Sequence, residues 1–188
     1  MMDLDTAIFK RRSVRKFTEE YVSDSDIKQL IDAARWAPSW ANTQSWDFIV
    51  LRDSQLMAQI TELYSERNPA RSCSLSCNAM LVVCARMKNA GHKMGVGLTK
   101  FKEWFMFDIG CCVQNISLKA YELGLGSVIV GHLDHEKANR LLNLPANYEV
   151  VVTIPLGHPV EKDKAPPPRR EIGEMLYLNQ FGEKFIKE

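Results

Sequence analysis

The sequence predicts a domain that mixes α-helices with short β-strands, and three observations lead there. Apolar runs of strand length stand at 48–51, 80–85, 127–130 and 148–156, the second continuous enough for a strand covered on both faces. Between and before them, apolar residues recur at helical spacing over 24–37, 54–64, 104–123 and 134–142. The third observation is the order around Gly124-Leu125-Gly126, which closes a helix and opens a strand. That is the reverse of a dinucleotide-binding fingerprint, so a Rossmann fold is discounted. A chain of 188 residues suits one domain with a sizeable core. Periodicity leaves the strand directions open.

Leu4, Ala7 and Ile8 share a helical face, so a short helix leads into Arg11-Arg12-Ser13-Val14-Arg15. Three guanidiniums and a hydroxyl within five residues form a candidate phosphate cradle, because arginine presents forked, permanently charged donors to phosphate oxygens. The same residues also fit a solvated basic face or a nucleic-acid contact. Ser23 and Asp26 form a helix-start box, Ile27, Leu30, Ile31 and Ala34 line the helix that follows, and Pro38 stops it. Residues 38–46 combine Trp40 and Trp46 with the amides of Asn42 and Gln44 and read as an ordered loop. Its rings either stack on a flat ligand or anchor packing.

Strand 48–51 and a helix opened by Asp53 or Ser54 come next, and 65–78, with Pro69 and several serines, reads as a loop or irregular helix. After strand 80–85, residues 87–100 are rich in glycine and lysine and lack a period, which makes 87–104 a candidate substrate lid or an ordinary surface excursion. Apolar residues nearly encircle helix 104–123, about 30 Å long at the standard rise, so it runs through the core or lies at a subunit contact. Gly124-Leu125-Gly126 supplies its cap and a tight turn. Asp134 caps the next helix, and the valine-rich strand 148–156 ends at Gly157-His158-Pro159. Residues 161–168 are charged and proline-rich, hence extended, and Arg169-Arg170 precede a short amphipathic piece at Ile172, Met175 and Leu176. Such a tail crosses a neighbouring subunit or folds back on its own domain.

Charged residues make up 25% of the chain and nearly cancel to +1, which argues against a general affinity for nucleic acid or for anionic membranes. No apolar run approaches the roughly 20 residues of a membrane span, and the polar N-terminus lacks a signal-peptide core. With an odd five cysteines, read as reduced thiols, these features point to the cytoplasm. Cys73 and Cys77 lack a second ligand pair at zinc spacing, so no metal site is expected. His92, His132, His135 and His158 lack partners at diagnostic spacing and read as hydrogen-bonding or surface residues.

Several separated pieces, taken together and in order, resemble the nitroreductase-like flavoprotein family. They are Arg11-Arg12-Ser13-Val14-Arg15-Lys16-Phe17; Ala37-Pro38-Ser39 with Asn42, Gln44 and Trp46; Asp108-Ile109-Gly110 through Gln114-Asn115 to Gly124-Leu125-Gly126; Gly131-His132-Leu133-Asp134; Ile154-Pro155-Leu156-Gly157-His158-Pro159; and Pro168-Arg169-Arg170. The resemblance implies an α+β fold, a central, mostly antiparallel sheet surrounded by helices, in a homodimer with two FMN molecules at its interface. By position, Arg11, Arg12, Ser13 and Arg15 would contact the FMN phosphate, ribityl or ring oxygens, with Arg169 or Arg170 closing on the phosphate. Pro38, Ser39, Trp40 and Asn42 would reach the ring from the other subunit. Val130 and Gly131 would approach its reactive edge, placing a backbone N–H near N5. Arg12 or Arg15 would supply positive charge beside the ring's pyrimidine end.

The implied activity is hydride transfer from NAD(P)H to flavin, then two-electron reduction of a nitroaromatic, quinone or related acceptor in a ping-pong cycle. Because FMN carries that chemistry, no catalytic side chain is assigned. The tail at 161–188 would wrap the dimer. Trp40 stands where the family often has glycine or serine, and Gly131-His132 where many relatives have glutamate and glycine. The alternatives are a specialised flavoenzyme of the same fold, such as a reductive dehalogenase or a flavin-processing enzyme, and a non-catalytic FMN-binding sensor.

Overall fold

A four-stranded antiparallel sheet organises the computed structural model, which describes residues 2–161 and 165–185. Residues 162–164 of the predicted extended segment and 186–188 of the predicted tail lie outside the described residues. In chain order the elements are α1 (Leu4–Lys10), α2 (Asp24–Arg35), a 3-10 turn (Trp40–Asn42), β1 (Trp46–Leu51), α3 (Ser54–Glu62), α4 (Arg71–Ser76) and β2 (Ala79–Arg86). They continue with β3 (His92–Lys93), β4 (Val96–Gly97), α5 (Phe105–Glu122), β5 (Gly126–Ser127), α6 (His135–Leu141), β6 (Tyr148–Gly157) and a second 3-10 turn (Ile172–Glu174). The sheet runs β1-β2-β6-β5 with every pairing antiparallel, and β3 and β4 form a separate hairpin. The fold is α+β, with the mainly antiparallel sheet that the resemblance implied.

Strand β2 is apolar from Ala79 to Ala85 because both faces are covered there. Ala79, Leu81, Val83 and Ala85 join one core with α2 and α5, while Met80, Val82 and Cys84 join another with α3, α4 and α6. A bulge opposite Val83 and Cys84 shifts the register of β6, so Val151 falls into the same core as Ile154, where strict alternation would have separated them. Helix α5 buries Phe105, Ile109, Cys112, Val113, Ile116 and Ala120 on its inner face but leaves Met106 and Phe107 exposed.

Several predicted boundaries move, for identifiable reasons. Helix α2 ends at Arg35, not 37. The N–H groups of Trp36 and Ala37 turn back to Ala33 and Ala34 in 3-10 fashion, and Pro38 disfavours a helical residue before it. The predicted strand 127–130 shortens to Gly126–Ser127: Val128 donates to Pro155 O (3.4 Å), but Pro155 has no N–H to return the bond, and pairing resumes only at the isolated bridge between Val130 and Thr153. Residues 65–78 contain the regular helix α4, and the excursion 87–104 contains the hairpin β3–β4. The cap after α5 forms as expected. Gly124 sits at φ +75°, with its N–H on Tyr121 O and that of Leu125 on Ala120 O.

Candidate functional site: an arginine-lined cavity

Helix α1 ends at Arg11, and the chain then runs extended along the edge of the sheet. Ser13 bridges Ser127 in parallel, Val14 N–H donates to Ser127 O (2.9 Å), Phe17 bridges Pro159, and Thr18 N–H donates to His158 O (2.8 Å). Two glycines make this approach possible. A Cβ on Gly126 would lie 2.7 Å from Val14 Cβ, and one on Gly157 would lie 2.6 Å from Phe17 Cγ. Each glycine stands where a side chain of the crossing segment needs the space.

The crossing segment walls a cavity of about 610 Å3 lined by Arg11, Arg12, Ser13 and Arg15 together with Ser117 and Tyr121 from α5 and Glu161. Among the described residues none of the three arginines has a carboxylate partner. The ion pair nearest in sequence is the long, exposed Lys16–Glu161 contact at 3.9 Å. Arg12 Nη1 donates to Arg11 O (2.7 Å), and its Nε is buried without a partner. Burial, then repulsion from Arg12 and Arg169, holds the Arg11 guanidinium below its ordinary value. A partly desolvated cationic cluster without a carboxylate partner suits a phosphate, which would supply both counter-charge and acceptors.

Arg169 is felt by Arg11 as a like charge but does not line the cavity, and its Nη1 reaches the carbonyls of Pro167 and Pro168. Arg170 turns instead to Glu174, with Nε 3.3 Å from Oε2 and Nη2 donating to the backbone carbonyl at 2.9 Å. Pro38, Ser39, Trp40 and Asn42 do not line the cavity, nor do Val130 and Gly131.

The 38–44 loop is nonetheless firmly built. Ala41, Asn42 and Gln44 all adopt positive φ. Gln44 N–H donates to Ser39 Oγ (3.0 Å) and Gln44 Nε2 to Asn42 Oδ1 (3.2 Å). From α5, Asp108 Oδ1 accepts the Trp40 N–H at 3.0 Å, while Oδ2 is buried without a partner and desolvation raises the carboxyl above its usual range. The Trp40 ring tilts against Trp104 at 4.9 Å between centroids, and Phe101 and Phe107 meet Trp104 edge-on. The predicted lid is thereby joined to the predicted ring-facing loop.

Val130 and Gly131 differ in what they can offer. Val130 N–H and C=O both pair with Thr153, each at 2.9 Å. A trans peptide points its N–H opposite to its C=O, so the Gly131 N–H is directed away from β6, at an exposed residue.

Sequence reasoning missed Ser117, Tyr121, the turn residue Pro69 and Ser72 of α4 as cavity lining, and Asp108 as the anchor of Trp40. The only local signal was a polar residue on the buried face of an otherwise apolar helix, which fits Asp108 and Ser117. Among the described residues no cluster of His, Cys, Asp or Glu could hold a metal, and no helix is long and apolar enough to cross a membrane.

Comparison with known proteins agrees with this architecture. The family model described as the nitroreductase family matches residues 8–158. A protein of Archaeoglobus fulgidus, provisionally named NADH dehydrogenase/NAD(P)H nitroreductase, is 36% identical over 162 residues, covering 83% of this chain and 86% of the relative. A protein of Methanothermobacter thermautotrophicus with the same provisional name is 30% identical over 164 residues, covering 85% and 79%. The crystal structure of a nitroreductase family protein from Clostridium novyi NT superposes with a TM-score of 0.77 at 26% identity, covering 98% of this chain and 97% of that one. With the match spanning the arginine segment, the central helix and the last strand, the chain belongs to the nitroreductase family.

Proposed function

We propose that the protein is an FMN-dependent oxidoreductase that takes a hydride from NAD(P)H and passes two electrons to a nitroaromatic, quinone or related acceptor, donor and acceptor using one cleft in turn. The observation that carries this reading is the cavity wall of Arg11, Arg12 and Arg15, none of them paired with a carboxylate among the described residues, with Arg169 weighing on Arg11, the lining's Glu161 turned to Lys16 and a buried Arg12 Nε left without a partner. These residues fit the phosphate of FMN, and Ser13 adds a hydroxyl donor. When bound, FMN supplies the hydride-accepting and electron-donating chemistry. The chain's own task is to hold the phosphate and to place donors around the ring.

Ring placement calls for a second copy, because Pro38, Ser39, Trp40 and Asn42 stand apart from the arginine cavity of their own chain. Uncovered apolar side chains favour such a homodimer: Phe9 is 69% exposed, Phe107 62% and the tail residue Phe181 91%. The tail at 165–185 would then wrap the partner, with Arg170 free to leave Glu174 for the phosphate. The outward Gly131 N–H is the donor offered to the ring's N5, and Trp40 with Trp104 forms an apolar wall that keeps water from it. Arg12 or Arg15 would place positive charge at the pyrimidine end.

The test is direct. Purified protein should absorb near 450 nm as a flavoprotein does, bleach anaerobically with NAD(P)H and recover with a quinone or nitroaromatic. Arg11→Ala should weaken FMN retention about ten- to hundredfold, the equivalent of about 1.5–3 kcal/mol for a desolvated charge-assisted contact, while the exposed Arg67→Ala leaves it unchanged. Equal retention in both variants removes the cradle, and loaded flavin that no nicotinamide reduces leaves a binding protein without the activity.

A further inference from the structure

We infer that His135 is a positioning residue that holds the Gly131–His132 peptide aside, keeping the space in front of the outward Gly131 N–H clear; its consequence for the flavin rests on the function proposed above. Beyond Thr153, toward its N-terminal end, β6 has no strand neighbour on the β5 side, since the Val130 bridge is the last pairing there. At Val150 helix α6 takes the missing strand's place. Asn139 Oδ1 accepts the Val150 N–H at 2.8 Å, and His135 Nδ1 lies 2.8 Å from the Val150 carbonyl. The two side chains are four residues apart on one helix face, so together they occupy both edge groups of a single strand residue.

The second nitrogen of His135 distinguishes it from Asn139. Nε2 lies 3.2 Å from the Gly131 carbonyl, so the ring spans from the sheet edge to the turn. A doubly protonated ring donates to both carbonyls, and a singly protonated one donates to one and fills the space beside the other. The peptide before Gly131 is pinned by Thr153. The peptide after it has His135 on its carbonyl, and the next carbonyl, that of His132, accepts from Ser65 N–H at 3.2 Å. Glycine has the widest choice of backbone angles, and a Gly131 Cβ would find only Val152 Cγ1 at 3.5 Å, so local crowding does not fix the turn. Without the imidazole the Gly131–His132 peptide can swing across the path toward which the amide points.

His135→Ala and Asn139→Ala separate this role from simple docking of α6, because both loosen Val150 but only the first releases Gly131. In FMN-free protein, exchange of the Ser65 amide, whose N–H donates to the His132 carbonyl of this turn, should quicken about tenfold in His135→Ala and stay near wild type in Asn139→Ala. In the loaded protein, His135→Ala should slow anaerobic bleaching by NAD(P)H about tenfold with FMN affinity near wild type, and Asn139→Ala should not slow it. Should His135→Ala not fold, His135→Phe, which fills the space without a donor, carries the same expectations. Unchanged exchange in the histidine variant, or equal effects in the two variants, overturns the clamp. Quickened exchange with wild-type bleaching overturns its effect on the flavin. Failure of the wild-type protein to take up FMN would instead count against the proposed function, and the exchange comparison would still decide the clamp.

Discussion

Gly126→Ala should dislodge the arginine segment without touching an arginine. The added methyl would meet Val14 Cβ at 2.7 Å and its two γ carbons at 2.8 and 2.9 Å, whereas carbon atoms settle at about 3.5–4.0 Å. Relief requires a movement of roughly 1 Å. Neither backbone yields freely, because Val14 N–H is bonded to Ser127 O and Gly126 pairs with Gly157. Overpacking of this kind costs about 1–3 kcal/mol. Displacing Arg12, Ser13 and Arg15 by the same distance should weaken FMN binding by at least about tenfold, because charge-assisted bonds are sensitive to geometry. FMN titration of the stripped protein, followed by flavin fluorescence, reads the affinity, and a thermal melt reads the stability. Adding Val14→Gly in the same chain removes all three clashing carbons and should recover most of the lost affinity. A Gly126→Ala protein that binds FMN like wild type, or a double variant that recovers nothing, refutes the role given to this crossing.

Three further predictions concern groups away from the cavity wall. Burial raises the Asp108 carboxyl in the folded protein, so its ionised form costs stability as pH rises through the folded value, and the cost vanishes below the unfolded one. Asp108→Asn, which keeps the acceptor for Trp40 N–H, should therefore raise the melting temperature at pH 7 by a margin that narrows toward acid pH; a margin independent of pH contradicts this. Burial pushes the thiols of Cys77 up to about 11 and of Cys84 and Cys112 up to about 12, and Cys73 is also raised, whereas Cys111 is half-buried. A disulfide reagent at pH 8 should label one thiol in native protein and all five after denaturation, and more than one native label would count against these burials. Arg52 donates to the carbonyls of Val22 and Asn78 and stacks on Tyr21, so Arg52→Ala should lower stability by about 2 kcal/mol in denaturant titrations yet leave FMN affinity unchanged.

What could be read from the sequence was local and periodic. The capping box of Ser23 and Asp26 is present on both sides, with Ser23 Oγ accepting the Asp26 N–H and Asp26 accepting the Ser23 N–H. The continuous apolar run of β2 marked a strand buried on both faces, and the arginine cluster was visible because its members are sequence neighbours. Long-range facts were not legible. Nothing near Asp108 announces Trp40, and nothing near Gly126 announces Val14, because those partners are chosen by tertiary packing. The shortening of β5 depended on a proline in a different strand. The sequence of helix α4 reads equally as loop or irregular helix because its buried apolar contribution is Cys73, with Cys77 at its cap, among serines, which gives little periodic signal.

The arginine segment is made early and depends on partners made late. Residues 13–18 lie on partners at 127 and 158–159, more than a hundred positions downstream, so the N-terminal arm has no platform until β6 has left the ribosome and paired. An incomplete chain can carry Arg11, Arg12 and Arg15 and still be unable to arrange them. Phosphate binding thereby reports that translation has reached the end of the sheet, and ligand capture favours finished molecules over fragments.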